Sequence, residues 1–139
     1  MVRVAHQSVM SAADYLAWEA DQKERHEFVD GETFAMAAAE ARHVTVTGNI
    51  YMALRQHLTG TPCRTFATDV RLSVAALNNY FYPDVMVTCS AADLASPMAK
   101  SEPQLIVEVL SPSTAAFDRG LKFSCYRNLP SLQEGICAD

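Results

Sequence analysis

The stretch Leu105-Ile-Val-Glu-Val-Leu110 sets one carboxylate inside an otherwise apolar run, bounded by Pro103 and by Ser111-Pro112. Its β-branched content and short length read as a largely buried strand. A period of two puts Ile106, Glu108 and Leu110 on one face and Leu105, Val107 and Val109 on the other. A carboxylate held there loses hydration, so Glu108 needs a cation, a hydrogen-bonding neighbour or its own proton.

Working outward, Tyr82-Pro83-Asp84 opens a second apolar run, Val85-Met-Val-Thr88, and offers a second carboxylate at a strand's mouth. Lys122 falls on the helix expected after the Glu108 strand, four residues from both Asp118 and Tyr126, so all three share one helical face. Two acids on two strands with a lysine nearby can serve metal-dependent phosphodiester hydrolysis. A metal ion there polarises the phosphoryl oxygen and lowers the pKa of an attacking water. Mg²⁺ suits such a donor set, taking hard oxygens at about 2.0–2.1 Å and keeping several waters, with Mn²⁺ as the alternative ion. Asp84 and Glu108 are the expected carboxylate ligands and the Val109 carbonyl a further one. Lys122 is expected to position the water or to stabilise developing charge. Each piece also has a plainer reading. Asp118–Lys122 alone is a solvated helix pair, Pro83-Asp84 alone is a strand-entry turn, and Glu108 with Lys122 is a structural ion pair.

Length and composition bound these readings. The chain has 139 residues, half of them apolar, which suits one domain over 1–139 with its own core. No apolar stretch approaches the roughly 20 residues that span a bilayer, and Met1-Val-Arg-Val-Ala-His6 lacks the pattern of a secretory signal. Cys63, Cys89, Cys125 and Cys137 form no CxxC pair, so reduced thiols in a cytoplasmic protein are the expectation. A net charge of −5 argues mildly against nucleic acid without deciding it, since a bound metal carries its own positive charge and local basic clusters read equally as a phosphate track or as a solvated surface. Lys23-Glu-Arg25 with His26 is one such cluster, and Arg119, Lys122 and Arg127 make another.

Ser11-Ala-Ala-Asp14 has capping-box form and predicts a helix from about Ala12 to Gln22. His26 to Met36 reads as a hairpin turning at Asp30-Gly31. A second helix is predicted over Arg42 to Leu58, with Thr47, Ile50, Tyr51, Leu54 and Leu58 on one stripe. Strands are predicted at Arg64 to Ala67, Val70 to Val74 and Val85 to Thr88, with a loop at Asn78-Asn79 and another from Ser90 to Glu102. A third helix runs from Ser111-Pro-Ser-Thr114 to about Asn128, and Leu132 to Ile136 begin a last strand. The order implies an α/β or α+β domain, a mixed sheet flanked by helices. His43, at a helix start, and His57, at its end, read as capping or packing residues in preference to metal ligands, and His6 and His26 have no partner at ligand spacing. Tyr15 with Trp18 reads as helix packing, and Met36, Met52 and Met86 as core filler.

Taken together, Tyr82-Pro-Asp-Val85, Leu105 to Thr114, Asp118, Lys122, Tyr126 and Pro130-Ser-Leu-Gln-Glu134 resemble the Uma-type (Uma-two) family. Tyr15-Leu16, Glu27, Asp30-Gly-Glu32, His43 and Leu54 extend the resemblance over most of the chain. The family is placed in the restriction-endonuclease-like PD-(D/E)xK superfamily. The resemblance implies a four-stranded mixed sheet flanked by helices, magnesium dependence, DNA as substrate, and Asp84 and Glu108 as metal carboxylates. It also implies two departures. The superfamily lysine normally stands two residues after the second acid, where this chain has Leu110, and the resemblance moves it to Lys122. Glu27 is implied as a further acid. Family members usually continue past the Pro-Ser-Leu-Gln-Glu segment with an aromatic-aliphatic strand, whereas here Gly135-Ile-Cys-Ala-Asp139 follows. The expectation is a C-terminally shortened fold with an unpaired sheet edge, and hence a homodimer or higher homo-oligomer. The competing expectation is a non-catalytic interaction module that keeps this fold, in which Glu108 and Lys122 are only a buried ion pair.

Overall fold

In the computed structural model, which describes residues 2–3, 9–36, 38–111 and 118–138, the Asp30-Gly31 turn sits where sequence chemistry puts it. Both residues have positive φ, 51° and 84°, which a two-residue hairpin loop requires. The turn joins β2 (His26–Val29) to β3 (Glu32–Ala35) in antiparallel register, Phe28 opposite Thr33. Around this hairpin a six-stranded sheet assembles. β1 (Val2–Arg3) pairs with β3, and on the far side β2 meets β6 (Asn79–Phe81), followed by β5 (Arg71–Val74) and β8 (Ala99–Lys100).

The second sheet has the order β10 (Glu134–Ala138), β9 (Pro103–Val109), β7 (Val85–Thr88), β4 (Arg64–Ala67). β9 and β10 run parallel and the other pairs antiparallel, which is the four-stranded mixed core that the resemblance implies. Two of the chain's passages between the sheets run side by side: β4 leads through residues 68–70 into β5, and β6 leads through Tyr82-Pro83-Asp84 into β7. The Thr68 amide donates to the Asp84 carbonyl at 3.1 Å and ties the two crossings together. Thr68 has φ 48°, a conformation that β-branched residues rarely adopt.

Four α-helices are present among the described residues. α1 (Ala12–Ala20) starts at Ser11, whose hydroxyl accepts from the Asp14 amide. α2 (Ala41–His57) turns Thr47 inward and leaves Val44 and Met52 exposed. α3 (Ala91–Ala95) is short, and a π-helical turn (Asp118–Lys122) runs into α4 (Phe123–Tyr126). Cys125, Tyr126 and Leu129 pack between Leu72, Val74 and Phe81 of one sheet and Met86 and Ile106 of the other. That segment is the wedge that keeps the sheets together.

The structure departs from the sequence reading in several places. Met52 is 53 % exposed and is not core filler. Asn79 belongs to β6, a three-residue strand that links β2 to β5, and the αL turn lies at Asn78 alone. The stretch from Ser90 to Glu102 contains α3 and β8. Its start, Ser90-Ala-Ala-Asp93, repeats the capping chemistry of Ser11-Ala-Ala-Asp14, with Ser90 Oγ accepting from the Asp93 amide. Residues 112–117, where the third helix was expected to begin, lie outside the described residues, as does His6.

The cysteines also depart. Cys63 and Cys89 form a disulfide with Cα atoms 4.0 Å apart, which corrects the expectation of four reduced thiols. The cause is strand register. Arg64 pairs with Thr88 across β4 and β7, so the next pair outward sets Cys63 opposite Cys89, although 26 residues separate them in sequence. Closing a loop of that length restricts the unfolded chain by about 3.5 kcal/mol. Replacing both cysteines by serine is therefore expected to lower unfolding stability in urea by about 2–4 kcal/mol, and an unchanged midpoint would contradict the bond.

Candidate functional site

The Glu108 carboxylate points from β9 into the interior, where it is 2 % exposed. Its charge is met from the wedge segment: Tyr126 donates its hydroxyl to Oε1 at 2.8 Å and Lys122 Nζ lies 3.2 Å from Oε2. The i, i+4 spacing of Lys122 and Tyr126 aims both at one carboxylate. Lys122 is equally buried and has a second acid within reach, Glu27 Oε2 on β2, at 3.1 Å. One ammonium thus holds a carboxylate from each sheet. Glu27 Oε2 also accepts from the Tyr82 amide at 2.8 Å, so the Pro-Asp crossing is fastened to the same cluster.

Asp84 stands at the other side of that crossing. Val85 pairs with Val107, and one further step of this register brings Asp84 opposite Glu108. Its Oδ2 accepts from the Val109 amide at 2.7 Å. The Leu110 amide donates to the Ala138 carbonyl in the parallel ladder, so Val109 turns its own amide and carbonyl toward β7 and Asp84. The structure therefore brings Asp84, Glu108, Lys122 and the Val109 backbone into one region, with Glu27 joining through Lys122. The Asp118 side chain lies outside the described residues.

A cleft of about 650 Å³ opens on Asp84. His43 from the first turn of α2, Tyr82, Lys23 and Arg25 line it with Asp84. Thus the Lys23–Arg25 cluster flanks a cavity, while Arg127 is simply exposed. His43 Nε2 lies 3.3 Å from Asp84 Oδ1, which the sequence reading of His43 as a cap or packing residue missed. No sequence signal reveals this contact, because it depends on where α2 crosses the β4–β5 and β6–β7 connections. Among the described residues no three His, Cys, Asp or Glu side chains converge as a metal cage. The donor set is nonetheless chemically suited to a hard divalent ion, which one or two carboxylates, waters and a substrate phosphate can hold.

A second buried network backs the first. Glu19 accepts from the His26 amide at 2.7 Å and from the Tyr82 hydroxyl at 3.0 Å, and its other oxygen lies 2.9 Å from His26 Nδ1. His26 therefore has a partner, Glu19, seven residues earlier in sequence. Tyr15 donates to the His26 carbonyl at 2.5 Å and stacks on Phe28, and the Trp18 ring lies 4.6 Å from that of His26, so both aromatics pack as expected. Burial, reinforced by the charge of Glu19, raises the pKa values of Tyr15 and Tyr82 above the ordinary tyrosine range.

Comparisons with known proteins agree with this architecture. Residues 12–139 match the family model described as "Uma2: Putative restriction endonuclease". Two uncharacterized proteins of Synechocystis, slr1290 and sll1609, are 39% and 40% identical over 90% and 100% of this chain. The chain spans 66% of the length of the first and 80% of the second. A crystal structure from Anabaena variabilis, described as "a putative nuclease belonging to DUF820", superposes with a TM-score of 0.72 at 14% identity. That likeness covers 91% of this chain and 73% of the other. No helix among the described residues is long and apolar enough to cross a membrane.

The two raised tyrosines give a signed pH effect. A phenol whose folded pKa lies above its unfolded value of about 10 contributes stability that is complete below pH 10 and is lost as the pH climbs past it. An absorbance titration in alkali is expected to leave Tyr15 and Tyr82 un-ionised until the protein unfolds. Simultaneous titration of all five tyrosines in the folded protein, near pH 10, would contradict their burial.

Proposed function

The chain belongs to the Uma2 family, and from that premise we propose that it is a Mg²⁺- or Mn²⁺-dependent DNA endonuclease hydrolysing phosphodiester bonds. The observation that carries this reading is the meeting of Asp84 and Glu108 across β7 and β9, with Lys122 Nζ 3.2 Å from Glu108 and a cleft beside Asp84. Asp84, Glu108 and the Val109 carbonyl are the oxygen donors we assign to the ion. A bound divalent ion would supply Lewis acidity toward the phosphoryl oxygen and an activated water. Lys122, oriented by Glu27 and Glu108 and itself 2 % exposed, is the cation we assign to positioning the water or stabilising developing charge, acting from behind the carboxylates. Lys23 and Arg25 at the cleft mouth meet backbone phosphates, which local positive charge can do despite the net charge of −5. We propose the cytoplasm as its compartment; glutathione and thioredoxin keep thiols reduced there, so the Cys63–Cys89 bond belongs to the oxidised protein. We also propose self-association through β10, an edge strand whose residues from Glu134 to Cys137 are exposed.

A second reading rests on a specific observation. Glu108 is buried and already engaged by Lys122 and Tyr126, as in a non-catalytic module with a structural ion pair. Purified protein is expected to nick supercoiled plasmid with Mg²⁺ or Mn²⁺ and to stop on chelation. Asp84→Asn should slow nicking by at least about 10²-fold, the scale of losing one group that stabilises transition-state charge. Equal cutting by Asp84→Asn, or no metal binding by a well-folded protein in calorimetry, favours the module.

A further inference from the structure

Two atoms at the cleft decide what kind of ion the proposed site would hold. Of the assigned oxygen donors, Glu108 is 2 % exposed and bonded to Lys122 and Tyr126, while Asp84 meets the cleft directly. Asp84 Oδ2 is engaged by the Val109 amide. Its other oxygen, Oδ1, lies 3.3 Å from His43 Nε2, and the Asp84 and His43 side chains are 14% and 20% exposed on the lining of the same cavity.

That separation matches two ligands on one ion. Adjacent ligands on an octahedral ion at 2.0–2.1 Å are about 2.9 Å apart, and tetrahedral ligands at similar distances are about 3.4 Å apart. An ion could bridge Oδ1 and Nε2 with displacements of only a few tenths of an ångström. One turn further along α2, Thr47 lines the same cleft and is 5% exposed, and its Oγ1 has no hydrogen-bond partner among the described residues. A buried hydroxyl without a partner is costly, and a water held on an ion at Asp84 would satisfy it.

We propose that His43, through Nε2, is a ligand to the divalent ion at Asp84, with the Thr47 hydroxyl bonded to a water of that ion. This rests on the reading that Asp84 binds metal, and it adds to that reading the identity of the ion. An imidazole nitrogen is a donor that first-row transition ions accept, whereas Mg²⁺ demands hard oxygen. With His43 added to the oxygen donors, the site is a mixed oxygen–imidazole centre that holds Mn²⁺ more tightly than Mg²⁺.

The test is pulsed electron paramagnetic resonance of Mn²⁺ bound to the intact protein, unlabelled and with ¹⁵N-histidine. Histidine ligation gives nitrogen modulation that changes with the label and disappears in His43→Gln, while Mn²⁺ still binds. Calorimetry should show Mn²⁺ affinity falling about tenfold or more in His43→Gln, as on loss of a ligand or its orienting partner, with Mg²⁺ affinity nearly unchanged. The ¹⁵N result in the unsubstituted protein needs no variant to fold. Bound Mn²⁺ without histidine modulation, or modulation that survives in folded His43→Gln, overturns the assignment of His43 and leaves the metal site standing. Absence of Mn²⁺ binding, or equal binding by Asp84→Asn, overturns the metal reading as well.

Discussion

The Lys122 ammonium is the point on which the structure depends. It lies between Glu27 of one sheet and Glu108 of the other, all three essentially excluded from water. Each charge taken from water costs several kcal/mol, recovered only when partners are close and remaining polar atoms are bonded. The Tyr126 hydroxyl supplies such a bond to Glu108 Oε1, and the Tyr82 amide supplies one to Glu27 Oε2, the oxygen that also faces Lys122. The same contacts that make the cluster tolerable also fix how α4, β2, β9 and the Tyr82-Pro83-Asp84 crossing sit together. Fold and candidate site therefore share one set of interactions, and Asp84 owes its position to the crossing that Glu27 fastens.

This sharing explains the division between buried and accessible groups. Glu108, Lys122 and Glu27 form the interior of the site, while Asp84 and His43 meet the cleft. The Glu19–His26–Tyr82 network stiffens the wall behind them. Thr68, in a left-handed conformation and bonded to the Asp84 carbonyl, holds the neighbouring crossing in register. Strain of this kind persists only where surrounding contacts over-determine it.

Glu108 was legible because a lone acid in a β-branched run leaves few alternatives. Asp30-Gly31 was legible because positive φ at two successive positions restricts the residue types. Lys122 was legible from its place on the helix after the Glu108 strand and its spacing to Asp118 and Tyr126, whereas Glu27, its second partner, was reached only through family resemblance. The disulfide was not legible: Cys63 and Cys89 become neighbours only through the β4–β7 register. β6 is three residues long, too short for a period of two to register. α3 carried a readable signal in Ser90-Ala-Ala-Asp93, the same pattern that marks α1. His43 and His26 found partners through tertiary contacts that no local spacing encodes.

The central claim, that Lys122 joins the two sheets by holding an acid from each, is measured most directly by two double-mutant cycles in urea unfolding. One pairs Lys122→Met with Glu27→Gln and the other pairs it with Glu108→Gln. Lys122→Met alone leaves two buried acids without their cation, at a cost of about 3–5 kcal/mol. Coupling of roughly 1–3 kcal/mol is expected in both cycles. Additivity within about 0.5 kcal/mol in either cycle would contradict the claim that the ammonium serves both sheets.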